Sequence, residues 1–398
     1  MNKKSILRMD LQNKRIIVRA DLNVPINNNK IADETRIKRF CKGILKVIHK
    51  GAKLIILTHL GRPKGVINPN LSTRILVERL EKNLDQKVVF SSGCIDKKTI
   101  AKSKTLEDNQ VLLCENLRFH NEEEENNSSF AQKLAQLGDY FLNDAFSCSH
   151  RAHASTDAIT RFLPSFFGPM MSEEINALNE ALENPEKPSL AIIGGSKVST
   201  KISVLKNLVY KLDNLIIGGG MANTFLYASG SPMGKSLYEP DFKETVNEIH
   251  ELAKMYNCKI FLPIDIVVSK DLIKNTDHKV VEFDECPSDH MILDIGQKSI
   301  ELYKKIIRSS KTILWNGPLG AFETKPFDNG TNALAKYTSL ITMNKGCISV
   351  AGGGDTLSAL NSINVTADFT YVSSAGGAFL EWLEGKELPG IKAIYLSE

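Results

Sequence analysis

The sequence has no C-x-x-C pair. Its seven cysteines run from Cys41 to Cys347 and are odd in number, which argues against a disulfide framework and a zinc ribbon. They read as reduced, mostly buried thiols of a cytoplasmic protein. No apolar run approaches the length that spans a bilayer, so no membrane contact is expected. The opening MNKKSILRMDLQNKR has lysines but no apolar stretch behind them, and no signal peptide is expected. Charge of one sign is scarce as well: 50 Lys and Arg against 46 Asp and Glu leave a net +4. That is too little to suggest nucleic acid, though it leaves room for a local basic pocket. A complete P-loop is also missing. SGSPMGKS (229–236) ends in Gly234-Lys235-Ser236 but has Ser229 where the first glycine should stand. It follows what looks like a helix end, and Pro232 removes one N–H from a loop that must wrap phosphate with N–H groups. It is expected to be a solvated loop. GGGMAN (218–223) lacks the spacing of a dinucleotide fingerprint, so NAD is not supported.

What the sequence does have is alternation. Its 398 residues suggest two or three domains, and 42% hydrophobic with 24% charged residues is ordinary for globular protein. Short apolar runs such as IIVRADL (16–22), LIILTHL (54–60), VLLCENL (111–117), LAIIGG (190–195), IFLPIDIVV (260–268) and TILWNG (312–317) alternate with longer helix-period segments such as STRILVERLEKNL (72–84). Strands this apolar are usually buried on both faces, as in parallel sheets covered by helices. The expected fold class is α/β, with two Rossmann-like domains, each a parallel sheet flanked by helices, joined by a hinge helix. In GPMMSEEINALNEALENPEKP (168–188), Ser172 can cap a helix with Glu173 and Glu174 in its first turn, and Pro185 and Pro188 end it. The expected domains are 1–168 and 188–387, with the hinge helix at 169–187 and a tail at 388–398.

Ligands bind at the carboxyl ends of such strands. In the first half those ends carry Asp21, Asn23, His59, Arg62, Arg118, His150, Arg151 and His153. Arginine forks match carboxylate and phosphate, so Arg36, Arg62, Arg118 and Arg151 suit a small acid with an anionic group at each end. Asp21 and Asn23 would serve a hydroxyl between them. His150 and His153 lack a third ligand near in sequence, which disfavours zinc. HNEEEENN (120–127) is expected to be a solvated loop or helix start.

In the second half the strand ends carry glycines, which let backbone approach a larger ligand. In AIIGGSKVSTKISVL, Lys197 and Lys201 are four apart and are expected to share a helix face near its N-terminus, where phosphate is attracted. In SVAGGGDTLSAL, Asp355 can cap a helix or hold Mg²⁺ beside phosphates. Gly376 and Gly377 offer bare N–H groups, and Glu323 could accept from ribose hydroxyls. A two-domain binding protein closing on an anion and a kinase of another carboxylate are the competing readings.

RADLNVP, DETRI, LTHLGRPKG, ENLRF, NDAFSCSHRAHAS, GPMMSEE, GGSKVSTKI, IIGGGMANTF, WNGPLGAFE, AGGGDTLSAL and GGAFLEWLEGKELPG together closely resemble the phosphoglycerate kinase family. They follow that family's order from about residue 17 to 390. The resemblance implies reversible, Mg²⁺-dependent phosphoryl transfer between 1,3-bisphosphoglycerate and ADP, giving 3-phosphoglycerate and ATP, by a cytoplasmic monomer. It implies an N-terminal domain binding 3-phosphoglycerate through Asp21, Leu22, Asn23, Arg36, His59, Leu60, Gly61, Arg62, Arg118 and Arg151. It implies a C-terminal domain binding the nucleotide through Gly195, Lys201, Gly219, Asn316, Pro318, Glu323, Gly353, Gly354, Asp355 and Thr356, with Asp355 on Mg²⁺. Arg36, Lys197, Gly376 and Gly377 are expected to stabilise the transferring phosphoryl, and the tail IKAIYLSE to return to the first domain. Two departures stand out. Ala375 replaces a usual glycine, which is costly if that position needs positive φ, and Cys148 and Ser149 replace other small residues.

Overall fold

A computed structural model describes residues 4–108 and 110–397. Two compact units form: one reaches Asn176 and takes in the chain from Glu387 onward, and the other is Ala177–Lys386.

The first unit is built from β1 (Arg15–Ala20), β2 (Ile26–Asn27), β3 (Lys30–Ile31), β4 (Lys53–Leu57), β5 (Lys87–Ser91), β6 (Gln110–Cys114), β7 (Tyr140–Asp144) and β8 (Ser165–Phe167). Six of these form one sheet in the order β5-β6-β4-β1-β7-β8, with every pairing parallel. Side chains alternate along a strand, and here both faces are covered. Ile16, Val18 and Ala20 pack with Ile37, Phe40, Cys41, Ile44 and Val47 of the helix Thr35–Ile48. Ile17 packs with Phe130, Ala131 and Leu134 of the helix Ser128–Ala135. That double burial explains why the strands lack the apolar–polar alternation of a half-solvated sheet. The helix Pro389–Leu396 belongs to the same unit: Gly390 N–H donates to the Ser149 carbonyl at 2.9 Å, and Tyr395 meets Phe167 edge-on.

The second unit contains β9 (Ser189–Ile193), β10 (Asn214–Ile217), β11 (Lys259–Phe261), β12 (Asp265–Ser269), β13 (Lys279–Glu282), β14 (Met291–Ile295), β15 (Thr312–Asn316), β16 (Ile348–Gly352) and β17 (Tyr371–Ser373). Its main sheet runs β11-β10-β9-β15-β16-β17, again all parallel. Leu190, Ile192, Ile313 and Trp315 pack against Ile300, Tyr303 and Ile307 of the helix Gln297–Ser309.

Several local expectations differ from the structure. IFLPIDIVV is two strands, not one. Proline donates no ladder hydrogen bond; the chain breaks around Pro263, and β12 joins an antiparallel sheet β13-β12-β14. The hinge-region helix starts at Pro169, not after Ser172. Proline suits the first helical position, and the Asp144 carboxylate accepts from Met171 N–H at 3.0 Å. Burial pushes the Asp144 carboxyl up to about 6. A π-helical turn, Asn179–Glu183, follows that helix. SGSPMGKS is not simply solvated: Ser231, Met233 and Ser236 are buried, and Lys235 N–H donates to the His290 carbonyl at 2.7 Å. Among the described residues, all seven cysteines are buried and unpaired, and no helix is long and apolar enough to cross a membrane.

Candidate active site

In the first unit the predicted residues sit at the carboxyl ends of β1, β4, β6 and β7. Arg36, in the first turn of the helix Thr35–Ile48, donates to the Asp21 carboxylate at 2.8 Å and to the Asn23 carbonyl at 3.2 Å. Asp21 also accepts from the Ser147 hydroxyl. The Asn23 amide oxygen accepts from Gly61 N–H at 2.9 Å, and Arg118 donates to the Gly61 carbonyl at 3.0 Å. The β4 loop is thus held by groups from two other strand ends. Gly61 has φ +60°, and a Cβ there would lie 2.9 Å from Leu71 Cδ2, so glycine is favoured. Leu22 and Leu60 are fully buried, so only their backbone can serve a ligand. Arg62 and Arg151 are exposed.

Below this surface lies a buried polar network that the sequence reading did not single out. Arg19, two residues after Ile17, falls on the same face of β1 and is fully buried. It donates to Ser155 Oγ at 2.8 Å, to the Ala20 carbonyl at 2.6 Å and to His59 Nδ1 at 3.0 Å. Ser155 in turn donates its hydroxyl to Glu123 Oε1 at 2.6 Å and its N–H to Oε2 at 3.0 Å. Glu123 is fully buried, so the expectation of a solvated acidic run fails at this residue. The three glutamates around it lie on a short helix, Asn121–Glu124, and the residue after it, and all three are exposed, so only one face of that turn is buried. The available signal was Arg19 itself, a cation in an apolar strand that must find a counter-charge when buried.

Burial, and then the charges of Arg19 and Arg118, hold His59 well below its ordinary pKa. The same causes bring His153 down to about 4. Both rings are therefore neutral at pH 7. Asp21, His59 and Cys148 place ligand atoms within 4.8 Å of one another. However, the Arg19 guanidinium contacts both His59 and Cys148, and a cation would be repelled there. This cluster suits an anion.

In the second unit a cavity of about 400 Å³ opens at the carboxyl ends of the strands. Gly195, Gly219, Pro318, Glu323 and Asp355 line it, as do the apolar side chains Leu237, Ile266, Leu272, Ile292, Leu293 and Phe322. The antiparallel sheet supplies part of that apolar wall, and the sequence reading had not separated that sheet from the main one. Gly219, at φ +65°, lies so close to the Gly195 carbonyl that a Cβ would stand 2.7 Å from it.

Lys201 does not share a helix with Lys197. The helix spans Ile202–Lys211, Lys201 occupies its cap position, and Lys197 is an exposed loop residue. Lys201 Nζ donates to the Gly194 carbonyl at 2.6 Å and to Asn316 Oδ1 at 2.6 Å. The Asn316 amide nitrogen donates to the Gly352 carbonyl at 2.7 Å, which fixes the amide's orientation. Burial brings the Lys201 ammonium down to about 8, opposed by the charge of Asp355. Thr356 is buried and accepts from Gly317 N–H at 2.7 Å. Asn316 and Thr356 therefore brace the glycine loops from below.

Asp355 does not cap its helix. That position belongs to Gly353, at φ +101°, and Asp355 is an exposed residue of the first turn of Gly354–Ser362. A free carboxylate beside bound phosphates fits Mg²⁺, which takes one or two carboxylates plus substrate phosphate. Ala375 is not at positive φ; that conformation falls at Gly376, at φ +45°, just before the helix Gly377–Leu383. The substitution is therefore unstrained. Lys201, Asn316, Gly353, Gly354 and Thr356, expected at the nucleotide, do not line the cavity, and neither do Lys197, Gly376 and Gly377.

An arginine-rich anion cluster in one parallel-sheet unit, with a glycine-lined pocket bearing a free carboxylate and backed by a lysine in another, has the make-up of a phosphotransferase. The family model described as phosphoglycerate kinase matches residues 6–386. The chain is 49% identical over 385 residues to the phosphoglycerate kinase of Rhizobium meliloti (strain 1021), covering 97% of this chain and 96% of that one. It is 48% identical over 384 residues to that of Methylorubrum extorquens (strain PA1), covering 96% of each. Among solved structures, phosphoglycerate kinase from Coxiella burnetii superposes with a TM-score of 0.92 at 41% identity, over 99% of each chain. The enzyme from Pyrococcus horikoshii OT3 gives 0.79 at 29% identity, over 99% of this chain and 98% of that one. The chain belongs to the phosphoglycerate kinase family, enzymes of glycolysis that transfer phosphoryl to a carboxyl group.

Proposed function

We propose that this chain catalyses reversible phosphoryl transfer from 1,3-bisphosphoglycerate to ADP, giving 3-phosphoglycerate and ATP, with Mg²⁺ as the metal. The first unit binds the glycerate through Asp21, Asn23, His59, Arg62, Arg118 and Arg151. The second binds the nucleotide, with its base against the apolar wall, its ribose near Glu323, and its phosphates near Lys201 and the loop Gly353–Thr356. The observation that carries this reading is the division of chemistry. One unit offers a cluster of forks braced by Asp21 and Glu124, and the other offers an apolar cavity edged by Asp355, with Lys201 behind its Gly195.

In the direction of ATP use, the carboxylate of 3-phosphoglycerate is its own nucleophile, so no general base is needed. The chain's task is placement and charge stabilisation. Arg36, Lys197 and the N–H groups at Gly376 and Gly377 stabilise the equatorial oxygens of the transferring phosphoryl in line. Asp355 would hold Mg²⁺, which when bound would neutralise charge on the nucleotide phosphates. The helix within 169–187 acts as a hinge, and closure excludes water. The enzyme works as a cytoplasmic monomer and needs neither nucleic acid nor membrane.

Calorimetric titration tests the division of sites. 3-Phosphoglycerate should bind the parent protein, unphosphorylated glycerate should not, and Arg118→Ala should weaken 3-phosphoglycerate while leaving MgADP unchanged. Equal binding of glycerate and its phosphate would overturn the assignment of the arginine cluster.

A further inference from the structure

The assigned roles leave unused a buried polar group beneath the first unit's site: Arg19, Ser155 and Glu123. All three are fully buried, so none can reach a ligand directly. Their hydrogen bonds nevertheless run in one direction toward a residue of the site. Glu123 accepts both the hydroxyl and the N–H of Ser155, so the Ser155 oxygen lone pairs turn to Arg19 Nε–H. With Nε and Nη1 committed to Ser155 and the Ala20 carbonyl, the guanidinium plane is fixed. Its remaining nitrogen then lies 3.0 Å from His59 Nδ1. A guanidinium can only donate. Nδ1 must therefore be the acceptor nitrogen, and a neutral imidazole in that state carries its proton on Nε2.

We infer that Arg19 and Glu123 are positioning residues: joined through Ser155, they lock His59 in the tautomer whose Nε2–H is offered to the phosphorylated acid. This rests on the proposed substrate for the word "acid", but the tautomer itself follows from the hydrogen bonds alone. His59 is kept neutral by burial and by the surrounding arginines, so its contribution is a directed N–H and not a positive charge. The direction matters because the other tautomer would present a lone pair to an anion, and that contact is repulsive. Glu123 supplies the counter-charge that lets a cation sit fully buried beneath the site. Its own carboxyl is pushed up by burial, with Arg19 and the Ser155 donors opposing.

The test uses full-length protein labelled with ¹⁵N-histidine, without substrate, and long-range ¹H–¹⁵N spectra at neutral pH. In the parent, His59 should show Nε2 protonated and Nδ1 bare. In Ser155→Ala, which removes the link but leaves both charged side chains, the ring should become a mixture of tautomers. The KM for 3-phosphoglycerate should then rise roughly three- to ten-fold, as expected for one misdirected hydrogen bond. The kcat and the KM for MgATP should stay within about two-fold, a split that a general loss of packing would not give. A parent His59 protonated on Nδ1 would overturn the inference. So would a Ser155→Ala protein with the parent's tautomer and KM. A parent that shows the expected tautomer but does not turn over 3-phosphoglycerate would contradict the proposed function while leaving the positioning role of Arg19 standing.

Discussion

At the scale of single residues, charge placement dominates. Arg36 touches both Asp21 and the Asn23 carbonyl, so its fork is already aimed into the glycerate site. If it stabilises the transferring phosphoryl, Arg36→Ala should lower kcat by roughly 10²–10³, the usual loss for one such group. The KM for 3-phosphoglycerate should change much less. Steady-state kinetics within a few-fold of the parent would refute that role. Lys201 gives a pH signature. Its ammonium is brought down to about 8 by burial, so it is charged below that pH and loses its proton as pH rises through it. The kcat/KM for the nucleotide should fall on the alkaline side with an apparent pKa near 8. In Lys201→Arg that limb should move beyond the measurable range, because guanidinium does not deprotonate. An unchanged alkaline limb would assign it to another group. Most of these residues were legible from sequence because they stand in strand-end loops, where a charged group has few structural reasons to be. Arg19 and Glu123 were not, because their meaning depends on a contact 136 residues away in the chain, through Ser155.

At the scale of elements, the junctions of strand and helix decide where backbone can approach a ligand. Gly353 and Gly354 look alike in sequence and differ in structure. Gly353 has φ +101°, and a Cβ would stand 2.6 Å from the Asn316 amide nitrogen. Gly354 has no positive φ and open space around it. Gly353→Ala should cost about 1–3 kcal/mol through strain alone, and should displace the Asn316 amide that holds Lys201, weakening ADP binding. Gly354→Ala should be neutral or slightly stabilising in urea denaturation, because alanine suits a helix better than glycine. Equal losses in both variants would contradict this reading. The apolar runs marked most parallel strands, because burial on both faces leaves a continuous hydrophobic string. They did not reveal β5 or β8, which are short or half-buried. Nor did they separate β11 from β12, where only Pro263 marks the break. Helix starts were misplaced at Ser172 and Lys197, where a plausible capping or charge pattern lay three to five residues from the true first turn. Periodicity fixes that a helix exists better than it fixes where it begins.

At the scale of the whole molecule, the net charge of +4 hides a strong division: cationic forks gather in one unit, and glycines with an apolar wall in the other. That division was legible because it lies in the loops and not in the totals. The apolar wall itself was not, since part of it comes from a three-stranded antiparallel sheet, where the first unit has only the two-stranded β2–β3. A protein organised this way should need both substrates for chemistry. The most direct measurement is ADP formation by the purified parent protein with MgATP and 3-phosphoglycerate, alongside unphosphorylated glycerate and magnesium-free controls. The account predicts turnover only when the phosphorylated acid and Mg²⁺ are both present. Turnover that persists with glycerate or without Mg²⁺, or no turnover while both ligands bind, would contradict it.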